Sequence, residues 1–174
     1  DYNRQEARLY LEKSLQLQEA LQVSWAIAAS LSGLGYLAWT NGDYGSALQR
    51  LEKSLAICQN LGDQWQEISV VGMLGWLYLH LGRLEESEQQ RHRALNLCQL
   101  LGNRSSLAFQ MAALVYTLGW QGRFEEGQKW AEKSISASRE DGSLGAEGFA
   151  ELALGSSLLL GGQYTRAYQA LIRS

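Results

Sequence analysis

Apolar residues along this chain recur at spacings of three and four, the period that places them on one face of an α-helix. One such stripe lies between Ser24 and Asn41, and a second follows Asp43. The first contains Ala28, Leu31, Leu34, Gly35 and Ala38, and the second contains Ala47, Leu51, Ser54, Leu55 and Cys58. The pattern predicts a pair of helices, which we name A and B, joined by a short turn.

Glycines mark the ends of these helices at a constant interval of 40 residues. One ladder falls between A and B, and the other falls between B and the next A. The first ladder is Gly42, Gly82, Gly122 and Gly162, and the second is Gly62, Gly102 and Gly142. A fixed period of this length indicates a repeated structural unit. Glycine also suits helix ends that need a left-handed residue, so we expect it to stop each helix in this proline-free chain.

The 40-residue period divides the chain into three complete helix pairs flanked by partial ones. We expect residues 1–22 to be the second helix of a truncated unit and residues 143–174 to be an incomplete fourth unit. The complete units are expected at residues 23–62, 63–102 and 103–142. Stacked units of this kind form a single array with one continuous core. The partial units predict a segment of a longer array, and their apolar faces favour self-association.

Composition limits the class of function. The 174 residues are 46% hydrophobic and 19% charged, which predicts a folded chain. A net charge of −3 leaves no broad basic surface for phosphate backbones, so direct nucleic-acid binding is not expected. The most apolar window, Leu152 to Gly161, is too short to cross a bilayer. Cys58 and Cys98 share one repeat position in neighbouring units, too far apart for a disulfide, and we expect both to be reduced in a cytoplasmic protein.

The repeated landmarks resemble those of tetratricopeptide repeats. Each unit has a Leu-Gly type pair in A, a turn glycine, an aromatic residue or leucine two positions later, and a small residue in B. In the first complete unit these are Leu34-Gly35, Gly42, Tyr44 and Ala47. The third unit has Val115 in place of the glycine in A, and the two middle units have Ser87 and Gly127 in place of the alanine in B.

The unit is longer than the usual one of about 34 residues. In this it resembles the variant found in the sensor arms of maltose-regulator-like LuxR-type activators and of STAND-type signalling ATPases. Helical repeats of the HEAT and armadillo types lack this glycine signature. The resemblance implies an all-α fold, a right-handed α-solenoid of antiparallel helix pairs.

In such arrays the A helices line a concave groove, which is where a partner would bind. The stripe beside the core stripe, followed from Tyr36, selects the candidate residues. We predict binding by Tyr36, Trp39, Trp76, His80, Phe109, Tyr116, Trp120 and Phe149. Tyr36, Trp76 and Tyr116 are expected to form an aromatic row that binds a peptide, a protein or a ring-shaped small ligand such as a sugar. The alternative is that these rings only pack neighbouring A helices together.

Other polar clusters favour structural roles. The pairs Glu85-Glu86 and Glu125-Glu126 could hold a metal, but they begin B helices, where carboxylates offset the helix dipole by roughly 0.3 to 1 kcal/mol each. His80 and His92 have no companions at ligand spacing. No nucleophile, base and orienting group recur at a workable spacing. We therefore expect no metal, no cofactor and no catalysis.

Two features depart from the repeat. Trp25 and Trp65 begin their A helices, and we expect them to cover the end of the preceding B helix. Glu151 occupies the register that Leu31 and Val71 hold in earlier units. A buried acid at that position would be a candidate site, but a loosened terminal unit is the simpler interpretation.

The sequence predicts a non-catalytic recognition or sensor segment of a larger regulatory or signal-transduction protein. Its groove would take a peptide, a protein or a small ligand. The alternative is a protein–protein scaffold or oligomerisation arm without small-ligand sensing. A scaffold for charged tails would need a row of Lys or Arg along the groove, and the predicted stripe has none.

Overall fold

A computed structural model describes residues 2–174, with the side chains of residues 4–174. The described residues form helices and turns without any β-strand. The helices are α1 (Tyr2–Ala20), α2 (Ser24–Thr40), α3 (Tyr44–Leu61), α4 (Gln64–His80), α5 (Leu84–Leu100), α6 (Arg104–Trp120), α7 (Phe124–Asp141), α8 (Leu144–Leu160) and α9 (Tyr164–Leu171). The all-α prediction is confirmed. Helices α2, α4, α6 and α8 correspond to the predicted A helices, and the remaining helices correspond to B.

The junctions between helices are built by one recurring turn. At Gly62 the backbone is left-handed, with φ of 66°, and its N–H donates to the carbonyl of Gln59. The next N–H, that of Asp63, donates to the carbonyl of Cys58. This pair of bonds is the Schellman motif, which satisfies the last carbonyls of a helix. All seven glycines of the two ladders have positive φ, as the sequence predicted.

Contacts among the helices group the chain into two compact units, the first ending at Gly82 and the second beginning at Arg83. In unit 1, α1, α2, α3 and α4 pack in chain order, and in unit 2 each of α5 to α9 likewise packs on the next. Unit 2 also brings the A helices α6 and α8 into direct contact. No helix among residues 2–174 combines the length and the apolar character needed to cross a membrane.

Two buried serines tie B helices to A helices at the same repeat position. The hydroxyl of Ser54 donates to the carbonyl of Ala28 at 2.7 Å in unit 1. The hydroxyl of Ser134 donates to the carbonyl of Ala108 at 2.6 Å in unit 2. Burial of a hydroxyl is favourable only when it is hydrogen-bonded, so these polar residues within the apolar stripe belong to the core.

Helices A and B approach each other closely at two glycines within helix A. A Cβ atom on Gly35 would lie 2.8 Å from Cγ of Leu51, and one on Gly155 would lie 2.6 Å from Cγ of Leu171. The third complete unit reverses the sizes, because Val115 faces the same core as the small residue Ala131. The departure from the family pattern at Val115 is therefore matched by a smaller partner in B.

Of the two expectations about the unusual residues, the one about Glu151 is wrong. Glu151 is buried, and its carboxylate accepts hydrogen bonds from Arg173 at 3.1 Å and from Arg139 at 3.4 Å, so it is a paired acid and not the mark of a loosened unit. Trp25 and Trp65 are 66% and 60% exposed, and their contact with the preceding B helix stays a prediction.

Candidate functional site

In unit 1, three of the predicted residues form a ring cluster that we name the unit-1 aromatic surface: Tyr36, Trp39 and His80. Trp39 meets Tyr36 edge-on with 5.8 Å between ring centroids, and it meets His80 edge-on at 5.5 Å. Because Trp39 lies on α2 and His80 ends α4, the cluster joins two A helices. Tyr36 is 47% exposed, Trp39 is half-buried and His80 is exposed. The cluster thus packs two helices and still presents ring surface to solvent.

The His80 ring is held in one orientation by the backbone of its own helix. Its Nδ1 lies 2.8 Å from the carbonyl oxygen of Trp76, which can only accept a hydrogen bond. The neutral imidazole therefore carries its proton on Nδ1, which leaves Nε2 as the acceptor. Tyr44 also approaches this ring, with 6.4 Å between centroids.

In unit 2, Phe109, Tyr116 and Phe149 form a second cluster, the unit-2 aromatic surface. Phe109 on α6 stacks on Phe149 of α8 with 4.4 Å between centroids and 14° between planes. Tyr116, two turns further along α6, stacks on the same ring at 5.7 Å. Phe109 is 40% exposed, and the other two are half-buried. Burial raises the pKa of the Tyr116 phenol, against the opposing effect of a hydrogen bond with Ser156.

The other two predicted residues differ in how much of their surface is exposed to solvent. Trp76 on α4 is half-buried, and Trp120 at the end of α6 is 67% exposed. The predicted row through Tyr36, Trp76 and Tyr116 runs over both units, and its alignment stays a prediction. Ring contacts between neighbouring A helices occur in each unit, so the packing interpretation and the binding interpretation both have support.

Charge is distributed very unevenly between the two kinds of helix. Helix α2 has no charged residue, and α6 has only Arg104 at its start. In α8, Glu147 and Glu151 are both paired with Arg139. By contrast, α7 has eight acidic or basic residues. The A helices thus offer a nearly uncharged aromatic face, and the B helices carry the polar surface.

The acidic residues that begin the B helices are paired with arginines of the turns. Arg83 reaches Glu86 at 2.7 Å, and its hydrogen bond lowers the pKa of that carboxyl. Arg123 reaches both Glu126 at 2.7 Å and Glu88 at 2.8 Å. Burial opposes ionisation of Glu88, but hydrogen bonds from Gln121 and Arg123 leave its pKa below the ordinary value. Among the described residues, no group of three or more His, Cys, Asp or Glu could hold a metal ion.

Sequence reasoning missed a cavity of about 230 Å³ at the N-terminal ends of α6 and α8. It is lined by Ser105, Ser106, Phe109, Gln110, Ser143 and Ala146. The repeat pattern contained one signal that this region differs from the earlier units. Ser143 occupies the capping position that Asp63 and Asn103 hold in earlier units, and it alone of the three makes no side-chain cap. The cavity is open to solvent on one side, and the packing that brings its lining residues together could not be read from spacing.

A buried arginine was also missed. Arg91 occupies the register of Leu51 but has no exposed surface, and its guanidinium donates to Gln110 at 3.3 Å. Burial lowers the pKa of Arg91 to about 9. A larger open depression of about 700 Å³ runs along α5, lined in part by Glu88, His92 and Leu97, and lies on a B helix.

Residues 26–99 match the model of the tetratricopeptide repeat family. No curated protein matches the chain.

Three solved structures have a similar fold over nearly the whole chain. The BtubC (BKLC) protein of P. vanneervenii has a TM-score of 0.80 at 17% identity, over 99% of this chain and 72% of that one. Nearly identical TPR-like repeats assigned to a kinesin light chain of Podosopora anserina have a TM-score of 0.76 at 20% identity, over 98% and 84%. A Rap protein complexed with Competence and Sporulation Factor has a TM-score of 0.80 at 12% identity, over 99% and 49%.

At these identities the likeness to solved structures is one of fold. The family match adds the repeat type, since it covers the A and B helices of the first two complete units. Residues 26–99 therefore belong to the tetratricopeptide repeat family, and the described chain as a whole has the fold of a TPR-like solenoid.

Proposed function

We propose that the A helices of each unit bind an apolar peptide segment of a protein partner, each unit through its own aromatic surface. The observation that carries the proposal is the stacking of Phe109, Phe149 and Tyr116 across two A helices, with Phe109 still 40% exposed. Aromatic rings that are rigidly held and partly exposed contribute large contact area at low entropic cost. Tetratricopeptide repeats are suited to protein–protein interaction, and they are typically non-catalytic.

The partner segment is expected to be apolar and to carry few charges. Both aromatic surfaces lie on helices with almost no unpaired charge, so a charged tail would find no ion-pair partner there. Binding to such a face depends little on ionic strength, because salt screens charge interactions and not apolar contacts. A Rap protein of the same fold has a structure in complex with Competence and Sporulation Factor, which supports ligand binding as a use of this architecture.

We further propose that the array is the recognition arm of a larger regulatory or signal-transduction protein, as its long repeat unit implies. In that setting the arm would bind its partner while another domain produces the response. A scaffold or oligomerisation arm is the alternative, and the salt dependence of binding discriminates between a partner with charged tails and an apolar one.

Peptides selected from a displayed random library against the whole chain test the proposal. We expect the selected sequences to be rich in aromatic and aliphatic residues, with affinities that change less than about threefold between 50 and 500 mM salt. Phe109→Ala and Tyr36→Ala should each weaken binding by about tenfold or more, because they remove exposed ring surface. Fluorescence anisotropy with labelled peptides measures these changes.

Tyr168→Ala on the B helix α9 is the matched control, since it also removes an exposed ring. It should leave peptide affinity unchanged. Trp76→Ala and Tyr116→Ala then separate binding from packing. If both variants fail to fold, or if selected peptides bind Phe109→Ala as well as the parent, the rings serve packing and the proposal is wrong.

A further inference from the structure

The His80 ring belongs to a chain of ring contacts in unit 1. Trp39 of α2 meets it edge-on with 5.5 Å between centroids, and Tyr44 of α3 approaches it at 6.4 Å with 50° between ring planes. Tyr36 extends the chain through its own edge-on contact with Trp39 at 5.8 Å. His80 thus joins α4 to both helices of the preceding pair, and these neighbours fix the position of its ring.

The hydrogen bond of His80 to its own helix decides which ring nitrogen can meet a partner. Nδ1 is committed to the carbonyl oxygen of Trp76 at 2.8 Å, so the neutral ring carries its proton there. Nε2 then has a lone pair and can only accept a hydrogen bond. Among the side chains of residues 4–174, no donor group contacts Nε2. Because His80 is exposed, this acceptor is accessible to a donor from a bound peptide.

Charged groups on the three surrounding helices are absent or engaged elsewhere. Helix α2 has none. Before α3, the carboxylate of Asp43 accepts from the N–H of Ser46 at 3.1 Å, and the first charged residue within α3, Arg50, donates to the carbonyl of Leu34. The charged acid of α4 is Glu67, which lies in the first turn, whereas His80 ends the helix. An imidazole nitrogen is therefore the acceptor placed among these rings.

We propose that His80 makes the unit-1 aromatic surface specific for an aromatic peptide side chain that carries a hydrogen-bond donor, namely tryptophan or tyrosine. The indole N–H or the phenol O–H donates to Nε2, and the ring of the peptide packs against Tyr36 and Trp39. The inference rests on the proposed peptide-binding function and adds the identity of the anchoring residue. The rings beside His80 exclude water from this hydrogen bond, which strengthens it.

The order of affinities for tyrosine and phenylalanine distinguishes this site from a purely apolar one. A purely apolar surface favours phenylalanine, because the tyrosine hydroxyl loses its bonds to water without gaining a partner. A surface with an acceptor in reach of the hydroxyl favours tyrosine, since the lost bonds are replaced. The two interpretations therefore predict opposite preferences.

The probes are four peptides of the form Ac-Gly-Leu-Xaa-Leu-Gly-NH2, titrated into the ¹⁵N-labelled whole chain. Xaa is tyrosine or phenylalanine in one pair and tryptophan or 1-methyltryptophan in the other, so the second member of each pair lacks the donor. We expect saturable NMR shifts around Tyr36 and Trp39, and about three- to tenfold tighter binding of the peptide with the donor. A preference in one pair alone identifies which donor His80 accepts. Equal or reversed affinities in both pairs would overturn the proposal.

His80→Phe removes the acceptor and keeps a ring at the same position. It should reverse the preference for tyrosine over phenylalanine while the phenylalanine peptide still binds. His92→Phe is the matched control, because His92 is the other histidine of the chain, is also exposed and lies on the B helix α5. The control should leave the preference unchanged. A preference for tyrosine that persists in His80→Phe contradicts the assignment.

The same titrations separate this inference from the proposed function. If none of the four peptides shifts the amides around Tyr36 and Trp39, peptide binding at this surface is wrong and the role of His80 falls with it. If all four bind without a preference for the donor, peptide binding stands and only the role of His80 is wrong. The ¹⁵N signals of the His80 ring at pH 8 check the premise, since a protonated Nε2 would contradict it.

Discussion

Single residues at the helix junctions carry much of the repeat's local information. Each glycine of the two ladders is left-handed, and the same turn occurs at Gln22, whose φ is 54°. The N–H of Gln22 donates to Glu19, and that of Val23 donates to Gln18, as in the glycine turns. The turn geometry therefore persists without glycine, at the cost of placing a side chain in a disfavoured conformation.

Gln22→Gly is expected to stabilise the protein by roughly 0.5–1 kcal/mol. A left-handed conformation costs an L-residue roughly 1–2 kcal/mol, and replacement by glycine removes this cost. Part of the resulting stabilisation is lost, because glycine has greater conformational freedom in the unfolded chain. Urea unfolding followed by circular dichroism measures the change. Gln16→Gly, in the middle of α1, is the control and should destabilise. Lower stability of Gln22→Gly would show that the Gln22 side chain makes a compensating contact.

At the scale of the helix pair, packing depends on matched sizes across the A–B interface. Gly35 faces Leu51, Gly155 faces Leu171, and the third complete unit combines Val115 with Ala131. Each of these pairs thus combines one large residue with one small residue. Gly127 fits this scheme too, because a Cβ there would lie 3.5 Å from Cγ1 of Val115 and 3.2 Å from Oγ of Ser157.

Gly35→Val should lower the free energy of unfolding by about 1–3 kcal/mol, because its side chain would overlap Leu51. Leu51→Ala alone should cost about 2–5 kcal/mol by leaving a cavity. The double variant reproduces the pair at 115 and 131, and we expect it to be more stable than the sum of the single changes by about 1 kcal/mol or more.

Urea unfolding of the four proteins in this cycle gives the coupling energy. Gly45→Ala is the control, since the nearest neighbour of its added Cβ is a side-chain oxygen of Asp43 at 4.0 Å. It should change stability little. A strictly additive double variant would mean that Gly35 and Leu51 do not share space in solution.

At the scale of the whole molecule, each compact unit contains one buried thiol. Cys58 lies in unit 1 and Cys98 in unit 2, and neither has exposed surface or a disulfide, as the sequence predicted. Burial raises the pKa of Cys98 to about 11. It also raises the pKa of Cys58, with a smaller contribution from Asp63. Only the thiolate is reactive, so alkylation of each buried thiol measures local opening of the unit that contains it.

Cys58→Ala and Cys98→Ala leave one thiol each, so alkylation at pH 8 follows each unit separately. We expect both thiols to react at least about 100-fold more slowly than an exposed thiol, because reaction needs local unfolding. A chain with Ser69→Cys and both native cysteines replaced provides the exposed reference, since Ser69 is exposed on α4. Labelling of either native thiol at the reference rate would contradict its burial.

The helices, their ends and the repeat type were determined by the sequence alone, since spacing within a helix and glycine at a turn are local properties of the chain. The aromatic candidates were also accessible from spacing, because neighbouring A helices repeat one register. Tertiary structure decided which side chains meet. The bonds of Glu151 to Arg173, of Gln110 to Arg91, and the cavity between Gln110 and Ser143 depend on how helices distant in sequence pack together. Periodicity assigns a residue to a face, whereas its partner across that face is set by the packing of the neighbouring helix.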